Sequence, residues 1–366
     1  MENMELNTHF YRGRRVLVTG HTGFKGSWLT IWLNQLGAVT SGIALDPATD
    51  NDLFLLAGLE GSISDHRADI RNSTEVERII AAEKPETVFH LAAQSLVIRG
   101  YRDPVSTFET NLMGTVNVLE ACRKSDSVRE VIIVTTDKVY ENIERPGGYR
   151  EEDTLGGWDP YSASKACAEI ATQSYRRSFS AGTDDGSSIR AICTVRAGNV
   201  IGGGDRAADR IIPDCVRALE NNDTIILRNP NSIRPWQHVL EPLSGYLQLC
   251  SMISVQPQKL SGAWNFGPDS SNAVSVGSLV SEFLNCWGSG RVETSAEMNH
   301  YHEAGILLLD ASKARNQLNW RPVLSFREAV KLTADWYKSC NSRNAHELCL
   351  EQIDYYTRKW NSGSWK

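Results

Sequence analysis

The sequence has no apolar run approaching the ~18 residues of a membrane span, which excludes a transmembrane helix by pattern. It has no surplus of positive charge. The formal net charge is −6, so it carries no electrostatic footprint for nucleic acid. Its eight cysteines include no C-x-x-C pair and no metal-ligand spacing, so neither a metal site nor a disulfide framework is expected. They read as reduced, mostly buried thiols of a cytoplasmic protein. The opening MENMELNTHFYRGRR puts acids first and lacks an apolar core, so it does not read as a secretory signal. Internal repeats and low-complexity tracts are missing as well.

What is present is an ordinary globular composition. The chain has 366 residues, 41% hydrophobic and 22% charged, enough for about two domains with a sizeable core. Its first half alternates β-rich runs with helical patterns. RVLVTG (15–20) is an apolar run ended by glycine and predicts a buried strand. GSWLTIWLNQLG (26–37) has helical spacing, with Gly37 as its stop. VTSGIALD (39–46), a short strand ahead of ADIRN (68–72), ETVFHLAA (86–93), REVIIVTT (129–136) and IRAICTVR (189–196) predict five more strands. Helices are expected near 73–83, 104–124 and 160–179. This alternation predicts an α/β fold with a doubly wound parallel sheet. After about residue 200 the strands shorten, and Pro and aromatics interrupt them, as in RNPNSIRPWQHV and LNWRPVLS. A smaller mixed α/β part is expected there, covering the sheet's C-terminal edge. SAGTDDGSS (180–188) reads as a polar surface loop.

VLVTGHTGFKG places Gly20, Gly23 and Gly26 directly after the first strand and at the start of a helix, with Phe24 and Lys25 between them. Glycines there let the backbone approach a pyrophosphate, which then sits on the helix N-terminus. Asp46 ends the second strand, where an acid hydrogen-bonds an adenosine ribose and repels a 2′-phosphate; NAD is therefore favoured over NADP. Asp69 and Ile70 follow the third strand at an adenine-contacting position. Leu91, Ala92 and Ala93 end the fourth strand with small residues, suited to close approach of a dinucleotide.

DPYSASKACAE holds Tyr161 and Lys165 at i, i+4 on one helix face. An ammonium beside a phenol stabilises the phenolate, so the pKa of Tyr161 is expected to fall from ~10 toward neutrality. Such a tyrosine takes a proton from an alcohol while NAD takes the hydride. A second copy of the pattern, Tyr355 and Lys359, follows no parallel strand and reads as a surface helix. Downstream, Asn199 is placed to bond the pyrophosphate or sugar of a substrate, and Gly202, Gly203 and Gly204 are expected to let the backbone approach it.

Taken together, residues 13–340 resemble the extended short-chain dehydrogenase/reductase family. The glycine loop, a hydroxyl residue after strand five and the Tyr/Lys pair occur in the family's order. The resemblance implies a Rossmann-type NAD-binding domain over 1–198 with a returning segment near 235–262. A nucleotide-sugar-binding domain would then span 199–234 and 263–366. It makes Thr136 the partner of Tyr161, in preference to Thr135. Within the family, nucleotide-sugar 4,6-dehydratases carry Thr-Asp-Glu where this chain has Thr136, Asp137 and Lys138. Those enzymes oxidise a sugar at C4, lose water across C5–C6 and return the hydride to C6. GHTGFKGSWL, TTDKVYEN and GNVIGGGD are similar to the CDP-glucose 4,6-dehydratase branch.

By that resemblance Asp137 is the acid for the leaving C6 hydroxyl. Lys138 is either the C5 base, if neutral, or a charged helper. Arg234 matches an arginine that clamps the substrate diphosphate, and Gln94, His302 and Glu303 would complete the substrate contacts. Asn111 would mark a helix kink. Helices 104–124 and 160–179 would pair across a homodimer. The small-molecule partner implied is a nucleotide sugar, CDP-glucose, with no nucleic acid and no membrane. Two alternatives share the loop and the Tyr/Lys pair: a nucleotide-sugar 4-epimerase, and a catalytically silent NAD-binding regulator.

Overall fold

The computed structural model describes residues 8–145, 147–180, 188–268, 273–295 and 304–363. Seven strands form one parallel sheet: β1 (Arg15–Thr19), β2 (Val39–Ala44), β3 (Ser64–Arg67), β4 (Thr87–His90), β5 (Glu130–Val134), β6 (Ala191–Ala197) and β7 (Ala263–Phe266). Their spatial order is β7-β6-β5-β4-β1-β2-β3. Every residue of β4, β5 and β6 is buried, as apolar runs covered on both faces must be. The order reverses between β1 and β4. A doubly wound sheet opens a crevice at such a switch, at the carboxyl ends of its strands.

Helices cover both faces. The helix α1 (Phe24–Gln35) buries Trp28, Leu29, Ile31, Trp32 and Leu33, each worth about 1.5–3 kcal/mol when fully withdrawn from water. The helix α2 (Ser73–Glu83) starts where Asn72 accepts from the Glu75 N–H and ends at Lys84 in the left-handed region. The predicted 104–124 helix is α3 (Pro104–Phe108) and α4 (Gly114–Lys124), joined by a π-helical turn, Glu109–Met113. That turn is the expected kink. Buried Asn111 fixes it by donating to Gln94 O and Ser164 Oγ, both at 2.9 Å, and accepting from the Gln94 N–H at 2.8 Å. The helix α5 (Pro160–Phe179) has Asp159 as its N-cap and Pro160 at its first position, which sets Tyr161 in the opening turn.

The smaller part holds α6 (Ile211–Glu220) and three short strand pairs. Residues 224–227 pair parallel with 291–294, 200–201 parallel with 237–238, and 233–235 antiparallel with 273–275. Two boundaries differ from the sequence reading. The segment that returns to the sheet runs past residue 262, because 263–266 is the edge strand β7, buried against β6. The C-terminal helix α7 (Ala345–Ser362), expected in the smaller part, packs on α1, where Tyr356 meets Trp32 edge to face at 5.7 Å. A four-residue strand and an amphipathic helix carry no sign of which layer they join.

Candidate active site

A cavity of about 890 Å³ lies at the switch point and reaches into the smaller part. Gly20, Gly23, Phe24, Lys25, Gly26, Asp69, Ile70, Leu91, Ala92 and Ala93 all line it. The three loop glycines are there for different reasons. Gly20 has φ +76°, and a Cβ on it would stand 2.7 Å from Ala92 N. A Cβ on Gly26 would stand 2.1 Å from Gly20 O. The chain itself requires both. A Cβ on Gly23 would meet only Gly20 O, at 3.4 Å, and Gly23 is exposed to the cavity. Gly23 is also the N-cap of α1 and has no side chain to cap it. Open space over uncapped N–H groups fits a diphosphate, and the loop therefore fits a dinucleotide.

Farther along, Arg71 grips Asp69 through Nε and Nη2, which holds that carboxyl below its usual range. Asp46 stands apart from the cavity wall. It lies past the end of β2 with its side chain 87% exposed, 3.8 Å from Arg67. Its predicted ribose contact is therefore not preformed.

The catalytic candidates converge. Thr135 also lines the cavity, but its hydroxyl is committed, donating to Glu169 Oε1 at 2.5 Å. Thr136 faces the cavity, caps the turn Asp137–Val139 and donates to Asp137 Oδ1 at 3.0 Å. Thr136, Asp137, Lys138, Tyr161 and Lys165 all line the cavity. Asp137 is buried, and its Oδ2 has no partner among the described residues. Burial raises its pKa, against Lys138, Thr136, Arg234 and Lys25.

One expectation fails here. Tyr161 is not lowered toward neutrality; burial pushes its phenol up to about 12, and neighbouring Thr136 only moderates this. Lys165 donates to Val134 O at 2.9 Å, and burial pushes it down to about 8, with Glu169 opposing. Desolvation outweighs the helix-face proximity on which the expectation rested. Lys25 is likewise pushed down to about 8 by burial and by Arg210. Neither Lys25 nor Lys138 makes a side-chain hydrogen bond or ion pair among the described residues, and both act electrostatically on Asp137.

On the substrate side the predictions divide. Asn199 lines the cavity, and no described residue hydrogen-bonds its side chain. Arg234 is buried in the same wall and donates to Ile233 O and Gly305 O. Gln94 lines the wall, but its amide is committed to the chain: it donates to Leu96 O and Thr107 Oγ1 and accepts from the Leu96 N–H at 2.6 Å. It shapes the loop and has little left for a ligand. Gly202 lines the cavity, whereas Gly203 and Gly204 do not. Cβ atoms on Gly202, Gly203 and Gly204 would meet Val239 at 2.9 Å, Trp336 at 2.0 Å and Leu53 at 2.8 Å, so the protein's own side chains crowd all three. His302 and Glu303 lie outside the described residues.

The sequence reading passed over Glu169, Asp205 and Arg210. Glu169 was detectable, one helical turn beyond Lys165. Arg210 was not. It donates to Asp205 Oδ2 and to Ser95 Oγ, each at 2.9 Å, bridging the two parts across a separation of 115 residues. Tyr355 and Lys359 both bind Glu328 on the surface, as a helix-surface pair should. Among the described residues no group of His, Cys, Asp and Glu is arranged to hold a metal.

Comparison with known proteins places this geometry. The family described as GDP-mannose 4,6 dehydratase matches residues 17–333. A CDP-glucose 4,6-dehydratase of Salmonella typhimurium is 45% identical over 91% of this chain and 93% of its own length. The crystal structure of DesIV, a dTDP-glucose 4,6-dehydratase from Streptomyces venezuelae with NAD and TYD bound, aligns with a TM-score of 0.74. It is 25% identical over 89% of this chain and 97% of its own. The NAD complex of UDP-glucose 4-epimerase from Thermus thermophilus aligns at a TM-score of 0.75 with 23% identity, over 88% and 99% of the two chains, and shares the fold.

Proposed function

The chain belongs to the GDP-mannose 4,6-dehydratase family, and from that premise we propose that it removes water from CDP-D-glucose to give CDP-4-keto-6-deoxy-D-glucose. It is a hydro-lyase that uses NAD without net redox change. The 45% identity to the Salmonella enzyme spans both parts of the fold and supports the cytidine nucleotide. One observation carries the chemistry: the unpartnered, buried Asp137 Oδ2, in the same wall as Tyr161.

Bound NAD would supply the acceptor for the C4 hydride and the donor that gives it back to C6. The chain's residues handle the protons. Tyr161 takes the C4 hydroxyl proton, and for that its phenol, which burial raises to about 12 against Thr136 and Arg210, must first give up its own proton. The resulting ketone acidifies C5–H. Asp137, whose proton affinity burial raises, gives a proton to the departing C6 hydroxyl, which leaves as water. Lys138 and Lys25 flank that carboxyl, and neither side chain has a hydrogen-bond or ion-pair partner among the described residues. The amine that is neutral takes the C5 proton, the one that is charged stabilises the enolate oxygen, and the proton goes back to C5 when the hydride returns to C6. Arg234 and Asn199 hold the diphosphate, and the Gly23 cradle holds that of the dinucleotide.

Two finer features belong to the proposal. Val105, Met113 and Ile170 are large apolar side chains exposed on α3, the π turn and α5. In a homodimer a second copy would cover them. All eight cysteines are free and no described helix is long and apolar enough to cross a membrane, which supports a cytoplasmic setting for deoxysugar synthesis toward lipopolysaccharide-type polymers. The test is mass spectrometry after incubation with NAD and, separately, CDP-, dTDP-, GDP- and UDP-sugars. Loss of one water from CDP-glucose alone is expected. An unchanged mass in every tube would reject the reading.

A further inference from the structure

Behind the catalytic pair lies a buried ionic cluster to which the mechanism above gives no part. Glu169 sits one turn beyond Lys165 on α5, and both are 3% exposed. Its Oε1 accepts from Thr135 Oγ1 at 2.5 Å and from Arg196 Nε at 2.8 Å, and its Oε2 accepts from Arg196 Nη2 at 2.9 Å. Arg196 is itself fixed, donating through Nη1 to Tyr140 O–H at 2.7 Å and to Glu151 O at 3.3 Å. Three elements therefore immobilise the carboxylate: the residue after β5, the strand β6 and α5. Burial would raise Glu169, but Arg196 and Thr135 hold it in the ionised form.

The groups that face Lys165 make the placement informative. On its own helix these are Tyr161 and Glu169. From α1 comes Lys25, a like charge. From β4 comes His90, buried between Thr19 and Thr115 and kept neutral, pushed down to about 3 by burial and by Lys165 itself. From β6, Arg196 faces Glu169. Glu169 is the described anion that acts on Lys165. Among the described residues the ammonium hydrogen-bonds Val134 O, which supplies a dipole and no full charge.

We propose that Glu169 is a positioning residue for Lys165: held rigidly by Arg196 and Thr135, it is the fixed counter-charge that keeps this buried lysine an ammonium beside Tyr161. The role rests on the assignment of Tyr161 and Lys165 as the proton-handling pair, and it adds a second layer to that site. Removing the charge leaves Lys165 with burial, Lys25 and a stranded Arg196, all of which favour loss of its proton. The alkaline limit of turnover is therefore set by Glu169 as much as by Lys165.

The test reads Lys165 directly. In protein labelled at lysine Cε, the Lys165 signal, assigned by its loss in Lys165→Met, is titrated by NMR with NAD present, and kcat/KM for CDP-glucose is followed over the same pH range. In Glu169→Gln the Lys165 midpoint and the alkaline limb of kcat/KM are expected to move down together by about one pH unit, a tenfold change in proton affinity. Glu169→Asp, which keeps the charge, is expected to restore most of that shift whatever its melting temperature. If Glu169→Gln fails to fold, Glu169→Gln/Arg196→Gln removes the stranded guanidinium and is expected to show the same fall. An unchanged midpoint in either neutral variant, with only a lower melting temperature, would mean that the cluster merely ties α5 to β6 and would overturn the proposal. The NMR titration needs no sugar, so a wild-type protein inert toward CDP-glucose would reject the proposed function and leave this question to the midpoint alone.

Discussion

On α5 the pair Tyr161 and Lys165 opens into a cavity at the ends of parallel strands. On α7 the pair Tyr355 and Lys359 closes onto a single surface carboxylate, Glu328. The spacing is identical, and each pair shares a helix face. What differs is the ground beneath. The helix α5 begins beside the carboxyl ends of β4 and β5, with Asp137 and Thr136 across from its first turn. The helix α7 lies on the outer side of α1. Periodicity sets which residues share a face, and topology decides whether that face meets a ligand. The glycine clusters repeat the lesson. Gly23 leaves space that the protein does not use, whereas Gly203 leaves space that Trp336 fills.

The same substitution in the two pairs is expected to have very different effects. Tyr161→Phe is expected to lower kcat by about 10²–10⁴, the usual scale for losing a positioned acid or base, with Tyr355→Phe within about twofold of wild type. A steady-state assay of water loss checks both; equal effects would remove the distinction. Next is Asp137→Asn. It is expected to slow dehydration by about 10²–10³ while C4 oxidation persists, so reduced cofactor should build up in an absorbance trace. An enzyme that epimerises at C4 would tolerate the change.

The glycines come third. Gly203→Ala drives a Cβ into Trp336 and is expected to destabilise the protein by about 1–3 kcal/mol in chemical denaturation. Gly23→Ala is expected to leave stability unchanged and to weaken NAD binding by about tenfold in a fluorescence titration. The smallest effect concerns the surface pair. Burial works against it, but Lys359, Ser325 and Tyr355 together pull Glu328 down to about 2 from 4.5. A depressed carboxyl stabilises above its unfolded pKa and loses that contribution as pH falls through its folded one. The partly exposed cluster is worth about 1 kcal/mol. Wild type and Glu328→Gln should therefore differ by that amount at pH 7 and converge as pH falls from 4.5 toward 2, with kcat unaffected throughout.

Much of this was legible in the residues. The helices expected near 73–83 and 160–179 are found there, and Asn72 and Asp159 cap them. The loop Gly20–Gly26 and the cluster Thr136, Asp137, Lys138, Tyr161 and Lys165 were readable too, since sharp turns and strand ends carry their own composition. What failed depended on distant partners. Nothing in GNVIGGGD announces Trp336, Val239 or Leu53. Nothing in Gln94 shows that Leu96 and Thr107 absorb its amide. The elevated phenol of Tyr161 follows from burial in a finished cavity, which spacing alone does not report. Strand β7 is four residues long, too short for its pattern to say which sheet it joins.

The cavity holding Asp137 and Tyr161 is expected to perform a self-contained redox cycle around loss of water. The measurement that tests it most directly uses CDP-glucose deuterated at C4, with NAD, followed by mass spectrometry and NMR of the product. The predicted product has lost one water and retains the deuterium, now at C6, with NAD unchanged. A product without water loss, or deuterium recovered in accumulated reduced cofactor, would contradict the account.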